Sequence, residues 1–68
     1  MEESKAVVII DYTNWKGVRM NRKISPIRIF WGQNTYHPEE QYLLEAYDLD
    51  KLEIRYFAMK DVHSWNTQ

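Results

Sequence analysis

Val18-Arg19-Met20-Asn21-Arg22-Lys23-Ile24-Ser25-Pro26-Ile27-Arg28-Ile29-Phe30-Trp31 is the stretch on which the reading of this chain turns. Val18, Met20 and Ile24 share one parity, while Arg19, Asn21 and Lys23 share the other. Successive side chains of a strand point to opposite faces, so the alternation predicts a strand with one apolar face. Pro26 has no N–H for a central ladder and marks a bulge, a bend or an edge. Beyond it, Ile27, Ile29 and Trp31 alternate with Arg28 and Phe30. One long strand bent at Ser25-Pro26 is the simplest reading. A small barrel passes from one sheet to the other through such a bend.

The flanking sequence extends the pattern. Ala6 to Tyr12 is too short for a stable helix, and its adjoining Val and Ile residues favour a strand. Thr13-Asn14-Trp15-Lys16-Gly17 reads as a hairpin turn, because Asn and Gly tolerate positive φ. Gly32 to Glu40 is a loop by composition. Gln41 to Tyr47 has some helical character, but Asp48 to Lys51 looks like a turn and the alternating run Leu52 to Met59 follows at once, so a strand is preferred. A last run, Val62 to Trp65, closes the domain, and Asn66-Thr67-Gln68 is expected to fray. Five short strands with turn signals between them predict an all-β chain, curled into a small barrel or a tight sandwich.

The chain has 68 residues, no cysteine and a net charge of −1, which allows one domain over residues 1–68 with a core of about 6–65. Hydrophobic residues make up 44% and aromatics 15%, so the apolar mass for a core is present without a disulfide. The longest wholly apolar run is Ala6 to Ile10, far short of the ~20 residues a membrane span needs. Met1 to Lys5 is acidic, unlike a secretory signal. Together these features fit a reducing cytoplasm and no membrane partner.

Two arginines interrupt the strand pattern. Arg22 shares parity with Val18, Met20 and Ile24, and Arg55 with Phe57 and Met59. An unpaired guanidinium is costly on an apolar face. Either each is a structural ion pair with Glu45, Glu53 or Asp48, or snorkels past its strand, or both face a groove and grip a phosphate or carboxylate bidentately. Lys16, Arg19, Arg22, Lys23 and Arg28 also lie within residues 16–28 with no acid among them, flanked by Trp15, Phe30 and Trp31. Such interleaving suits a nucleic-acid backbone and its bases, or is the solvated face of a strand. His37 and His63 without cysteine make a poor metal set. Asp61-Val62-His63-Ser64 implies no complete triad, and only Gly17 and Gly32 are available for a phosphate loop. The sequence gives no reason to expect an enzyme, a metal or a cofactor.

The order of short motifs resembles a WYL domain, a module of bacterial transcription regulators. The matching residues are Ile10-Asp11-Tyr12 followed by Asn14 and Gly17, then Arg22-Lys23-Ile24-Ser25-Pro26. Gln41-Tyr42-Leu43 follows and runs to Ala46-Tyr47-Asp48, then Arg55-Tyr56-Phe57, then Val62 and Trp65. Gln41 stands where the naming Trp would be, so an aromatic surface there is either missing or supplied by Tyr36. The resemblance covers roughly residues 8–65 and implies a free-standing, Sm-like or SH3-like five-stranded β-barrel. It also implies a ligand-sensing role in bacterial transcription or phage-defence regulation, with single-stranded nucleic acid or a nucleotide-like anion as ligand. Carried onto this chain, the ligand face is Arg22, Tyr42 and Arg55, widened by Lys23, Arg19 and Arg28. The other reading is a protein-interaction or dimerisation module, paired through Trp15, Trp31 or an open strand edge, in which the arginines are structural.

Overall fold

A computed structural model of the chain describes residues 6–34 and 37–68. Met1 to Lys5 and Tyr36, both used in the sequence reading, lie outside the described residues. The chain forms β1 (Val8–Thr13), β2 (Arg19–Gly32), β3 (Gln41–Asp48), β4 (Glu53–Ala58) and β5 (Val62–Thr67), with one turn of 3-10 helix over Met59–Asp61. These make a single antiparallel sheet in the order β4-β3-β2-β1-β5. β4 and β5 remain its two edges, so the sheet is not closed into a barrel. The C-terminal end is also more ordered than its polar sequence suggests. β5 runs to Thr67, and the Gln68 N–H donates to the Val7 carbonyl at 2.8 Å.

The long strand serves two partners in turn. Arg19 to Ile24 pair with β1, and Ile24 to Gly32 pair with β3. The β1 ladder ends at the Val8–Ile24 pair, so Pro26 lies where β2 no longer has a neighbour on that side. A missing N–H is tolerated at such a local edge. The β2–β3 register then shifts between Pro26 and Arg28, which leaves Ile27 as the extra residue of a bulge. Ile27 is accordingly half exposed, although its neighbours alternate.

This bend turns the apolar sides of the two hairpins toward each other. Val8, Ile10, Tyr12, Ile24, Leu44, Ala46 and Phe57 form the buried core, with Met59 and Val62 packed against it. The Tyr12 and Phe57 rings meet edge to face, with centroids 4.9 Å apart. The Ala58 N–H donates to the Tyr12 hydroxyl at 3.1 Å, tying the end of β4 to β1 across the core. We call the side of the sheet bearing these residues the inner face.

The β3–β4 turn contains the one non-glycine residue with positive φ among the described residues. Asp48 is buried, and its Oδ1 accepts the backbone N–H groups of Asp50 and Lys51 at 2.9 and 3.0 Å. The Leu52 N–H donates to the Asp48 carbonyl at 2.7 Å, and this geometry places Leu52 at φ 59°. A leucine in the left-handed region pays a steric penalty that glycine does not. Its side chain is 70% exposed, so little packing is lost with it. Leu52→Gly is therefore expected to raise stability by about 0.5–1 kcal/mol, and the melting temperature by roughly 3–6 °C. A fall in melting temperature in a thermal scan would contradict this reading of the turn.

Candidate functional site: a cleft on the inner face with two arginines

The hairpin turn between β1 and β2 is organised by one side chain. Asn14 Oδ1 accepts the N–H groups of Lys16 and Val18, both at 2.9 Å. The Gly17 N–H donates to the Asn14 carbonyl, and Gly17 adopts φ 84°, a conformation open to glycine. The turn holds Trp15 out into solvent at 66% exposure, with the Lys16 ammonium 5.2 Å from the centre of its ring.

Beneath Trp15 lies a cleft of about 420 Å³. Arg22 from β2 and Arg55 from β4 both line it, although they are far apart in sequence. Strand parity explains their meeting. Arg22 pairs with Ile10 and Arg55 with Ala46, both buried inner-face residues, so both guanidiniums leave the inner face. Tyr12, Phe57, His37 and Glu53 also line the cleft. His37 belongs to the loop before β3, where its N–H donates to Asn34 Oδ1 at 2.8 Å.

The two arginines differ in how they are satisfied. Arg55 Nη1 lies 3.4 Å from Glu53 Oε2, a long and largely exposed pair that stabilises little. Arg22 is half-buried, and its Nε–H is shielded from solvent with no acceptor among the described residues. A buried guanidinium donor without a partner is unfavourable, and an anion entering the cleft would relieve it.

Two phenols line the cleft, Tyr12 and Tyr56, and Tyr12 is the buried one. Burial holds the Tyr12 pKa above the ordinary value near 10, and the negative charge of Asp61 adds to that rise. The Ala58 hydrogen bond and the positive charges of Arg22 and Arg55 act in the opposite direction. Tyr12 is therefore a neutral hydroxyl at ordinary pH.

The remaining sequence candidates lie elsewhere. Arg19 donates from Nε and Nη2 to the two oxygens of Asp11 at 2.9 and 2.8 Å, a bidentate pair. This bond holds the Asp11 carboxyl below its ordinary value. Arg28 is paired with Glu45, its partner across the β2–β3 ladder, and stacks over Phe30 with its guanidinium carbon 4.3 Å from the ring centre. Strand parity places Arg19, Lys23 and Arg28 on the outer face. Tyr42 is on the inner face but does not line the cleft. It packs edge to face with Trp31, its ladder partner, with ring centroids 5.0 Å apart. Of the expected ligand face, Arg22 and Arg55 come together, while Tyr42, Lys23, Arg19 and Arg28 do not join them. Tyr12, His37 and Glu53 were not singled out from the sequence as site residues. For Tyr12 a signal existed, since it shares parity with the core residues Val8 and Ile10.

His63 accepts from or donates to the Thr13 hydroxyl at 2.8 Å, on the far strand pair. No cluster of three His, Asp or Glu side chains suited to a metal occurs among the described residues, and none of their helices is long and apolar enough to cross a membrane. No family model, curated protein or solved structure matches the chain.

The Tyr12 environment gives a pH test with a definite sign. Its folded pKa is raised, so the stability it contributes is full below the unfolded value and is lost as pH rises through the folded one. Tyr12→Phe leaves the Ala58 N–H without its acceptor and should destabilise by about 1–2 kcal/mol at neutral pH. Urea titrations should show the gap between wild type and Tyr12→Phe narrowing above about pH 10. A gap that widens there would mean the phenol is not held neutral by the fold.

Proposed function

We propose that this chain is a non-enzymatic binding module that takes a nucleotide-like anion in the Arg22–Arg55 cleft. The observation that carries this reading is the convergence of the two guanidiniums on one cleft, one of them with a shielded N–H that has no acceptor among the described residues. Glu53 is the carboxylate among the cleft residues, so the two arginines outweigh it. Trp15 at the mouth offers a face on which a base can stack, and the Tyr12 hydroxyl offers a neutral polar contact.

The same geometry favours a compact anion over a long strand. An extended track would need Arg19, Lys23 and Arg28 to act with the cleft. Arg19 and Arg28 are already engaged by Asp11 and Glu45, on the opposite face. A single strand could still present one phosphate and one base to the cleft, which makes single-stranded nucleic acid the wider form of the same reading. In this account the chain is a WYL-like module with an Sm-like or SH3-like strand plan, acting in bacterial transcription or phage-defence regulation in the cytoplasm. The motif order from Ile10 to Trp65 supports that assignment, and the five-stranded antiparallel sheet is compatible with it.

Tryptophan fluorescence should be followed while a nucleoside 5′-monophosphate, inorganic phosphate or a short single-stranded oligonucleotide is added at two salt concentrations. Arg22→Gln and Arg55→Gln should each weaken monophosphate binding by about 10–100-fold, the worth of a charge-assisted hydrogen bond. Arg19→Gln and Arg28→Gln should change it less than about twofold. For the oligonucleotide, two phosphate contacts predict a slope of log K against log salt near −1.4, whereas a track of five would approach −3.5. Unchanged binding by a folded Arg22→Gln/Arg55→Gln double variant would refute the cleft as the site.

A further inference from the structure

The two edges of the sheet are unlike. β4 carries the charged residues Glu53 and Arg55, and its last N–H is occupied by the Tyr12 hydroxyl. β5 reads Val62-His63-Ser64-Trp65-Asn66-Thr67, with no Lys, Arg, Asp, Glu, Pro or Gly, and five of its six residues are exposed. Edge strands of monomeric proteins are usually blunted by charge, proline or a bulge, because an open edge is a template for another strand. The one bulge on β5 falls at its start, opposite Asp11 and Tyr12, and leaves the rest regular.

The direction of the free backbone groups follows from the ladder. The Gln68 N–H bonds to Val7 of the neighbouring segment. In an antiparallel ladder the facing groups alternate, so Asn66 and Ser64 also face β1, and the N–H and C=O of Trp65 and Thr67 point outward. Side chains beside this edge on the inner face are mostly apolar, with His63 and Ser64 at the margin of the hollow. Trp65 pairs with Ile10 and so lies on the inner face, where Ile29, Met59 and Val62 line a hollow with it. Ile29 and, two residues further along the inner face of β2, Trp31 are both more than half exposed. An unsatisfied strand edge and an exposed apolar patch are therefore continuous.

We propose that β5 pairs antiparallel with β5 of a second copy of this chain, about a two-fold axis at Trp65. The occupant follows from the strand's own chemistry. A neutral strand laid against itself sets no like charges opposite each other, and a two-fold contact closes on itself. With the axis at Trp65, the two Trp65 residues stand directly opposite and exchange both of their outward backbone hydrogen bonds. Opposed residues of an antiparallel pair project from the same face, so both indoles lie over the apolar hollow. The exposed parts of Trp65, Ile29 and Trp31 with the strand backbone amount to on the order of 500 Å² per copy, at the low end for a specific interface. The dimer is accordingly weak and concentration-dependent. Its lining shares no residue with the Arg22–Arg55 cleft, so the two readings stand or fall separately.

Sedimentation of the full chain over concentrations from about 5 μM to 1 mM tests the proposal, with a dissociation constant expected between about 1 and 100 μM. Trp65→Lys sets two like charges at the axis, and Thr67→Pro removes an outward N–H that β1 does not use. Each should give a monomer at 1 mM with an unchanged circular dichroism spectrum. In the unmodified chain, amide exchange at Trp65 and Thr67 should slow as concentration rises, a readout that needs no variant. The proposal is overturned by a wild type that stays monomeric at 1 mM, by assembly beyond a dimer, by dimers that persist in either folded variant, or by exchange at these two amides that ignores concentration.

Discussion

β2 pairs with β1 as far as Ile24 and with β3 from Ile24 onward, and the rest of the molecule depends on that handover. β1 ends there, Pro26 has no N–H to leave unsatisfied, and Ile27 slips out of register. The bend lets one strand belong to two hairpins whose apolar sides face each other. Without it, Ile10 on β1 and Phe57 on β4 would sit on a flat sheet with strands between them. With it, both are buried in one core, and the inner-face residues flanking that core converge.

Arg22 and Arg55 are consequences of this convergence. Each occupies an inner-face position just beyond the buried cluster, one on either side of the bend. Parity puts them on the apolar face and distance along the strand puts them at its rim. The acids that could neutralise them are mostly elsewhere. Asp11 is taken by Arg19, Glu45 by Arg28, and Asp48 is turned into its own loop, where it accepts backbone N–H groups. Among the described residues only Glu53 reaches Arg55, at a distance and exposure that make the pair weak. A weakly compensated pair of guanidiniums on the edge of a small core reduces stability, and an anion that bound there would stabilise the folded state in proportion to its affinity.

Much of the strand plan could be read from the residues themselves. The alternation around Arg22, the Asn14–Gly17 turn and the Asp48–Lys51 turn are local signals, and each corresponds to an element that formed. Pro26 predicted an irregularity because its defect is covalent. What could not be read was anything set by register between strands. Nothing in the run Lys16 to Arg28 shows that Arg19 meets Asp11 or that Arg28 meets Glu45, since those acids belong to other strands. The same limit hid which phenols line the cleft. The resemblance pointed to Tyr42, which stands opposite Trp31, whereas Tyr12 reaches the site because β1 lies beside the Arg22 end of β2. Closure of the sheet is likewise a long-range property. Polar Asn66 to Gln68 looked like a frayed end, yet the β1 edge offered those residues hydrogen bonds and extended β5 through Thr67.

The Nε–H groups of the Arg22 and Arg55 guanidiniums can be observed directly by nuclear magnetic resonance. Adding a nucleoside 5′-monophosphate should shift the Nε–H signals of Arg22 and Arg55 together along one saturable curve, with those of Arg19 and Arg28 left in place. Signals of Arg22 and Arg55 that stay still at saturating nucleotide, or that move no more than those of Arg19 and Arg28, would contradict the account.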